Sequence, residues 1–298
     1  MPPCAYKNIN LRRKVILCWA LEHMVKVNIQ PLFGDEWLAN ARSRSGGTHW
    51  PDAVVETLDT SGEIYLATLR RWFSEFPAQP KDKQGLRKRL ECFENGQHLG
   101  GTNELAWWAF MQREGLGPTV VPTAKKASRP DFQLAPPADC FVEVSTLNKS
   151  ACDRNRLERG ESVALNDAES IRRVIGKLTA EKLRQLAYAA EQGKPGVLVL
   201  FDYTEWSAFG TNFFKTLGSF LLGTVFGFKG LPPELSAIVY VERKVLSGQI
   251  VLSRHRSAVY YNPLALWPLS MNTFPLLNQF WSQLAASEAT SAEDWIVL

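Results

Sequence analysis

Two short apolar runs, Asp131–Leu134 and Phe141–Ser145, flank the turn-forming stretch Ala135-Pro-Pro-Ala-Asp139, and each carries one carboxylate, Asp131 or Glu143. Runs of this length on either side of a proline-rich turn predict an antiparallel hairpin. Pairing of that kind carries the two acids toward one edge of a sheet, where neither has a partner in the local sequence. At a separation of ~4 Å and an effective dielectric of about 20, two such carboxylates repel by roughly 4 kcal/mol. A bound Mg²⁺ or Mn²⁺ reverses the sign of that interaction.

The elements around the hairpin predict an α/β chain. Helical periodicity runs from Leu11 to Val27 and from Gly62 to Phe76, with a turn at Asn28–Gly34 and breaks at Gly46-Gly47 and Pro77–Gln84. Gly96–Gly101 reads as a boundary. It divides a mainly helical N-terminal region, residues 1–100, from an α/β domain, residues 101–298. The second part opens with a helix from Thr102 to about Glu114, followed by short runs at Thr119–Pro122, Asp131–Leu134 and Phe141–Ser145. A polar loop, Asn148–Leu165, precedes a long helix over about Ala168–Gln192. Gly193-Lys-Pro195 ends it, and the continuous apolar run Gly196–Phe201 suits a buried central strand. Further strands are expected at Ala237–Glu242, Gln249–Leu252 and Ala258–Tyr261, with a closing helix near Thr273–Ala286. Helix, three strands, helix, strand is the order of one sheet between helical layers.

Composition removes several classes. With 298 residues and 45% hydrophobic content the chain is globular, as one large domain or two moderate ones. Its five cysteines lack a CxxC pair and its four histidines are scattered, which argues against a disulfide framework or a structural zinc and points to a reduced, cytoplasmic setting. Leu11-Arg-Arg-Lys14 and the apolar Val15–Leu21 superficially copy a signal peptide. Glu22 and His23 stand where a cleavage site would be, so an amphipathic helix is the better reading. The apolar tract Leu217–Phe228 is too short to span a bilayer, and no membrane segment is expected. No GxGxxG, GxxxxGK[ST] or GxSxG occurs, against a Rossmann or P-loop enzyme or a serine hydrolase.

The net charge of +4 permits nucleic-acid binding without requiring it. Lysines and arginines cluster at Lys81–Arg89, Lys125–Arg129, Arg154–Arg159 and Arg254–Arg256, each readable as a solvated face. The second and third flank the acidic hairpin, where a phosphate backbone would have to lie.

Three further residues stand out against their periodicity. Glu104 shares a helical stripe with Trp108 and Met111 that should be buried. It is either a charge favouring the helix N-terminus, with Thr102 or Asn103 as cap, or a site residue. In the long helix Ile171, Val174, Ile175 and Leu178 mark the inward stripe, and Lys182 and Gln185 continue it. Either the lysine stem snorkels to solvent or the two form a site pair one turn apart.

This ordered set, Glu104 on a helix, Pro130-Asp131 and Glu143-Val-Ser145 on strands, then Lys182 and Gln185 on a helix before an apolar strand, resembles the core of the PD-(D/E)xK, or restriction-endonuclease-like, nuclease superfamily. The resemblance covers roughly residues 101–202. It implies a mixed β-sheet core flanked by helices and metal-dependent hydrolysis of phosphodiester bonds, with DNA as the substrate. It would make Asp131 and Glu143 ligands of Mg²⁺ (or Mn²⁺), the main-chain carbonyl of Val144 a third, and Glu104 a further ligand or a group behind them. Ser145 departs from the pattern, because the superfamily's lysine stands two residues after the acid. Some members carry that lysine on the following helix, which implies Lys182 as its replacement and Lys149 as second choice. The alternative is a catalytically inactive nuclease-fold module that binds nucleic acid or assembles with a protein partner, or as a homodimer, through the N-terminal helical region.

Overall fold

The computed structural model describes residues 31–44, 61–124, 128–147, 151–159, 161, 176–177, 182–202, 231–254, 256–280 and 295–298. The expected helix Leu11–Val27, most of the long helix before Lys182, the apolar tract Leu217–Phe228, and Lys125, Lys126 and Lys149 lie outside these residues.

Continuous apolar runs set the centre of the fold. Strand β3 (Phe141–Leu147) lies parallel to β4 (Gly196–Asp202), and β4 parallel to β5 (Ala237–Val241). Side chains alternate across the strands, so Val142, Val197, Val199 and Val239 enter one hydrophobic core while Leu147, Leu198, Leu200 and Ile238 enter another. Strands buried on both faces read as unbroken hydrophobic runs, as this stretch of sequence does. Antiparallel β1 (Thr119–Val120) and β2 (Phe132–Gln133) extend the sheet beyond β3. At the other side β8 (Ala258–Tyr261) pairs antiparallel with β5, and β9 (Asn278–Phe280) runs parallel to β8. The result is a mixed seven-stranded sheet ordered β1-β2-β3-β4-β5-β8-β9. A second, three-stranded antiparallel sheet joins β6 (Arg243–Leu246), β7 (Gln249–Ser253) and β10 (Trp295–Val297).

Helices α2 (Ser61–Glu75), α3 (Pro80–Leu90) and α4 (Asn95–Arg113) contribute Tyr65, Leu69, Trp72, Leu86, Leu90, Leu105 and Trp107 to the first core. Trp107 meets Phe201 of β4 edge-on at 6.2 Å between ring centroids. Helix α6 (Leu183–Glu191) closes the second core through Leu186. A short α1 (Asp35–Ser43) and α5 (Ala151–Glu158) complete the described helices. None of these helices is long and apolar enough to cross a membrane.

Three expectations are corrected. Gly96–Gly101, read as a boundary, lies inside α4, and the chain from Leu32 to Leu298 forms one compact unit. Gly101 is present for close packing: a Cβ there would stand 3.1 Å from the Leu90 side chain of α3. The break expected at Pro77–Gln84 is present but shorter, over 76–79, because Pro80 opens α3, where its missing N–H costs nothing. The expected helix near Thr273–Ala286 is extended at Asn278–Phe280. There the Asn278 amide donates to the Arg254 and Ser257 carbonyls, and the Gln279 amide donates to those of Phe274 and Leu277. These side-chain bonds compete with a helical backbone.

A buried histidine fastens α2, α3 and α4 together. His98 Nδ1 donates to the Leu90 carbonyl at 2.6 Å, which leaves Nε2 to accept from the Tyr65 hydroxyl at 2.7 Å. Tyr65 in turn meets Thr102 at 3.1 Å. This arrangement needs the neutral ring, and burial first, then the nearby Arg243 charge, lowers His98 to about 4 despite the Leu90 bond. Below the ordinary value of 6.5 the unfolded chain binds a proton that the folded chain refuses, so stability falls as pH drops from 6.5 toward 4. The loss approaches about 3 kcal/mol. His98→Asn, which cannot charge, is expected to lower stability near neutral pH but to flatten this part of the acid limb, as read by urea unfolding across the pH range.

Candidate active site at the edge of the sheet

Asp131 occupies the place where the β2–β3 ladder stops. The two strands pair at Phe132↔Val142 and Gln133↔Phe141, so the edge of β3 beyond Val142 has no backbone partner from β2. The Asp131 carboxylate takes over, its Oδ2 accepting the Val144 N–H at 2.8 Å. In an extended strand the N–H and C=O of one residue leave from the same edge. The Val144 carbonyl therefore projects on the Asp131 side.

Glu143 projects from β3 toward α6 and is 2% exposed. Phe141 lies one step earlier on the same face and meets the α6 ring of Tyr188 edge-on at 5.3 Å, which sets the helix against the strand. Lys182, at the residue preceding α6, places its Nζ 2.5 Å from Glu143 Oε1. Gln185 Nε2 donates to the same oxygen at 2.8 Å. The other oxygen, Oε2, is buried with no hydrogen-bond partner among the described residues. Burial raises the Glu143 carboxyl above the usual carboxylate range; Lys182 and Gln185 pull it back, and Glu104 adds to the rise.

Glu104 arrives from α4, on the opposite face of the sheet, and is 8% exposed. Its partner is Arg89 of α3, whose Nη2 donates to Glu104 Oε2. Burial pulls the Arg89 guanidinium down, but Glu104, Asp131 and Glu143 together more than offset it. Asp131 lies well above the ordinary carboxylate range, pushed there by burial and then by the charges of Glu143 and Glu104, against the Val144 hydrogen bond and Lys182. Three carboxylates from three elements thus act on one another around the β3 edge.

A cleft of about 320 Å³ opens on this edge. Glu104 and Asp131 line it together with Lys81, Arg89 and Arg129. Of the five side chains singled out for chemistry, Glu104 and Asp131 line it, while Glu143, with Lys182 and Gln185 on its Oε1, lies behind Asp131 and acts on it by charge. Arg89 was not anticipated. Its signal was Glu104 itself: a carboxylate on a buried stripe calls for a cation, and the Lys81–Arg89 cluster is the nearest supply. The third basic cluster turns inward on itself, with Arg156 and Arg159 pairing to Glu161 at 3.1 and 2.7 Å.

No three His, Cys, Asp or Glu side chains among the described residues are grouped to hold a metal ion unaided. The oxygens present nevertheless suit Mg²⁺, which is commonly bound by one or two carboxylates and completed by water and substrate phosphate. The bare Glu143 Oε2, Asp131 and the Val144 carbonyl are such a partial set.

Mutual repulsion at the site is a cost to folding that a neutral side chain removes. Asp131→Asn keeps an oxygen to accept the Val144 N–H but carries no charge, so with EDTA present it is expected to raise Tm, at about 2–4 °C per kcal/mol relieved. A lowered Tm would show that the Asp131 charge is stabilised by its neighbours instead. No family model, curated protein or solved structure matches the chain.

Proposed function

We propose that the chain is a metal-dependent nuclease of restriction-endonuclease-like fold that hydrolyses phosphodiester bonds, with DNA as the substrate its family resemblance implies. The observation that supports this reading is the meeting of Glu143 with Lys182 and Gln185, which lie 39 and 42 residues further along the chain. Asp131, the Glu143 Oε2 and the Val144 carbonyl would hold Mg²⁺ or Mn²⁺. Bound there, the cation would lower the pKa of a water and neutralise charge on the scissile phosphate.

The protein's own groups divide the remaining work. Gln185 and Lys182 fix Glu143 through Oε1 and so leave Oε2 for the cation. Lys182 supplies the positive charge that Ser145 lacks. Ser145 points to the same face of β3 as Glu143, two residues on, so a lysine there and a lysine at position 182 approach one carboxylate from strand and helix respectively. A fixed ammonium next to the site stabilises charge that develops on the phosphate and orients the attacking water.

A second reading, an inactive nuclease-fold module that binds nucleic acid or a protein partner, is favoured by Ser145 and by the direct Lys182–Glu143 ion pair, which engages the ammonium. Cleavage separates the two. Supercoiled and linear DNA incubated with the protein in Mg²⁺, Mn²⁺ or EDTA should be cut only with metal, and Asp131→Ala and Glu143→Ala should abolish cutting. Lys182→Ala should slow it by about 10²-fold or more, the usual scale for a preorganised charge in the transition state, while the Mn²⁺-induced rise in Tm persists. An unchanged rate in Lys182→Ala transfers the role to Lys149. Binding without cutting in any metal establishes the module.

A further inference from the structure

We propose that Arg89, on helix α3 and outside the strand-and-helix core of the site, is a phosphate-binding residue that exchanges Glu104 for the non-bridging oxygens of a nucleic-acid phosphate in the cleft. The inference deepens the nuclease reading and rests on it. Three observations carry it. Arg89 is partly exposed, with 38% of its side chain accessible, and it lines the cleft together with Asp131. It is held there by a carboxylate, so its fork is already turned toward the acidic edge where the scissile bond would lie. The cleft has cations on two further sides. Lys81 lines it from the first turn of α3, and Arg129 lines it from the segment before β2.

Arg129 resembles Arg89 in having capacity to spare. Its guanidinium lies 5.4 Å over the Tyr188 ring, Nη1 donates to the Pro122 carbonyl at 3.4 Å, and Nε is buried with no partner among the described residues. Two guanidinium forks and an ammonium around one small cleft suit a row of phosphates better than a single carboxylate ligand, because each fork can take two oxygens of one phosphate. A carboxylate-bound arginine also makes the exchange inexpensive, since it trades one charge-assisted pair for another. Glu104 would then serve as the positioning residue that keeps Arg89 aimed. Helix α3, which lies outside the part of the chain that resembles a nuclease, would contribute directly to substrate binding.

The test is binding of a short fluorescein-labelled phosphorothioate DNA, which resists hydrolysis, followed by anisotropy in Mn²⁺. Arg89→Gln is expected to weaken binding about tenfold or more, the effect of about 1.4 kcal/mol, and Arg89→Lys to restore part of it. Lys88→Gln removes the same charge from the same helix at an exposed position and should weaken binding less than about twofold. Equal losses in Arg89→Gln and Lys88→Gln, or no loss in either, overturn the proposal. If Arg89→Gln does not fold, Glu104→Gln decides. It should tighten binding a few-fold by releasing Arg89, and the gain should vanish in Glu104→Gln/Arg89→Lys, whose shorter, unforked cation cannot use it. A gain that survives there, or no gain at all, also overturns the proposal. Failure of the nuclease reading looks different: wild-type protein binds this DNA, with the same dependence on Arg89, yet cuts no unmodified DNA.

Discussion

The carboxylate of Glu143 is divided between two jobs, and the rest of the site is arranged around that division. Lys182 and Gln185 both take Oε1, at 2.5 and 2.8 Å, while Oε2 is buried without a partner among the described residues. An unsatisfied buried acceptor typically costs about 1–3 kcal/mol. The fold tolerates it beside two further carboxylates, Asp131 and Glu104, whose charges press the same region. A sheet edge selected only for stability would place apolar or paired groups there. In the proposed metal site, that division is what presents the bare oxygen to the cation.

That presentation depends on where a strand stops. β2 contributes only Phe132 and Gln133 to its ladder with β3, and Asp131 turns from backbone pairing to side-chain pairing at Val144. Continued in the same register, the ladder would set Pro130 opposite Val144, and a proline has no N–H to offer the Val144 carbonyl. The parallel β3–β4–β5 core behind it is rigid because both faces are buried, and it carries Glu143 to one side while α4 carries Glu104 to the other. Asn103, next to Glu104, donates to Thr146 Oγ1 at 2.8 Å and accepts from Arg243 Nε at 2.8 Å, which ties α4 to β3 and β6. The acidic residue on the helix is thus held in place by its neighbour.

Much of this was legible in the sequence because it follows from period. Lys182 and Gln185 meet β3 as their place on a helical stripe suggested, although the stripe's other residues lie outside the described ones and Lys182 stands just before α6, and the two-residue period of β3 fixed the face of Glu143. Strands β3, β4, β5 and β8 were visible as apolar runs. What escaped depends on partners distant in sequence. Gly101 looks like a break until Leu90 is known to pack against it. The Asn278–Phe280 strand is held by side-chain amides whose carbonyl partners include Arg254 and Ser257, more than twenty residues away, so no local pattern announces it. Arg89 was hidden for the same reason, as one basic residue in a run, until Glu104 is seen to need it.

The most direct test is a crystal of the protein soaked in Mn²⁺ and measured at the manganese edge. The anomalous peak should lie between Asp131 and Glu143 Oε2, within about 2.0–2.3 Å of a carboxylate oxygen of each, as expected for a hard divalent cation on oxygen ligands, with the Val144 carbonyl beside it and the Lys182 ammonium still on Glu143 Oε1. A peak elsewhere, or no peak with Glu143 Oε2 bound to a protein donor instead, would contradict the assignment of this sheet edge as a metal-dependent active site.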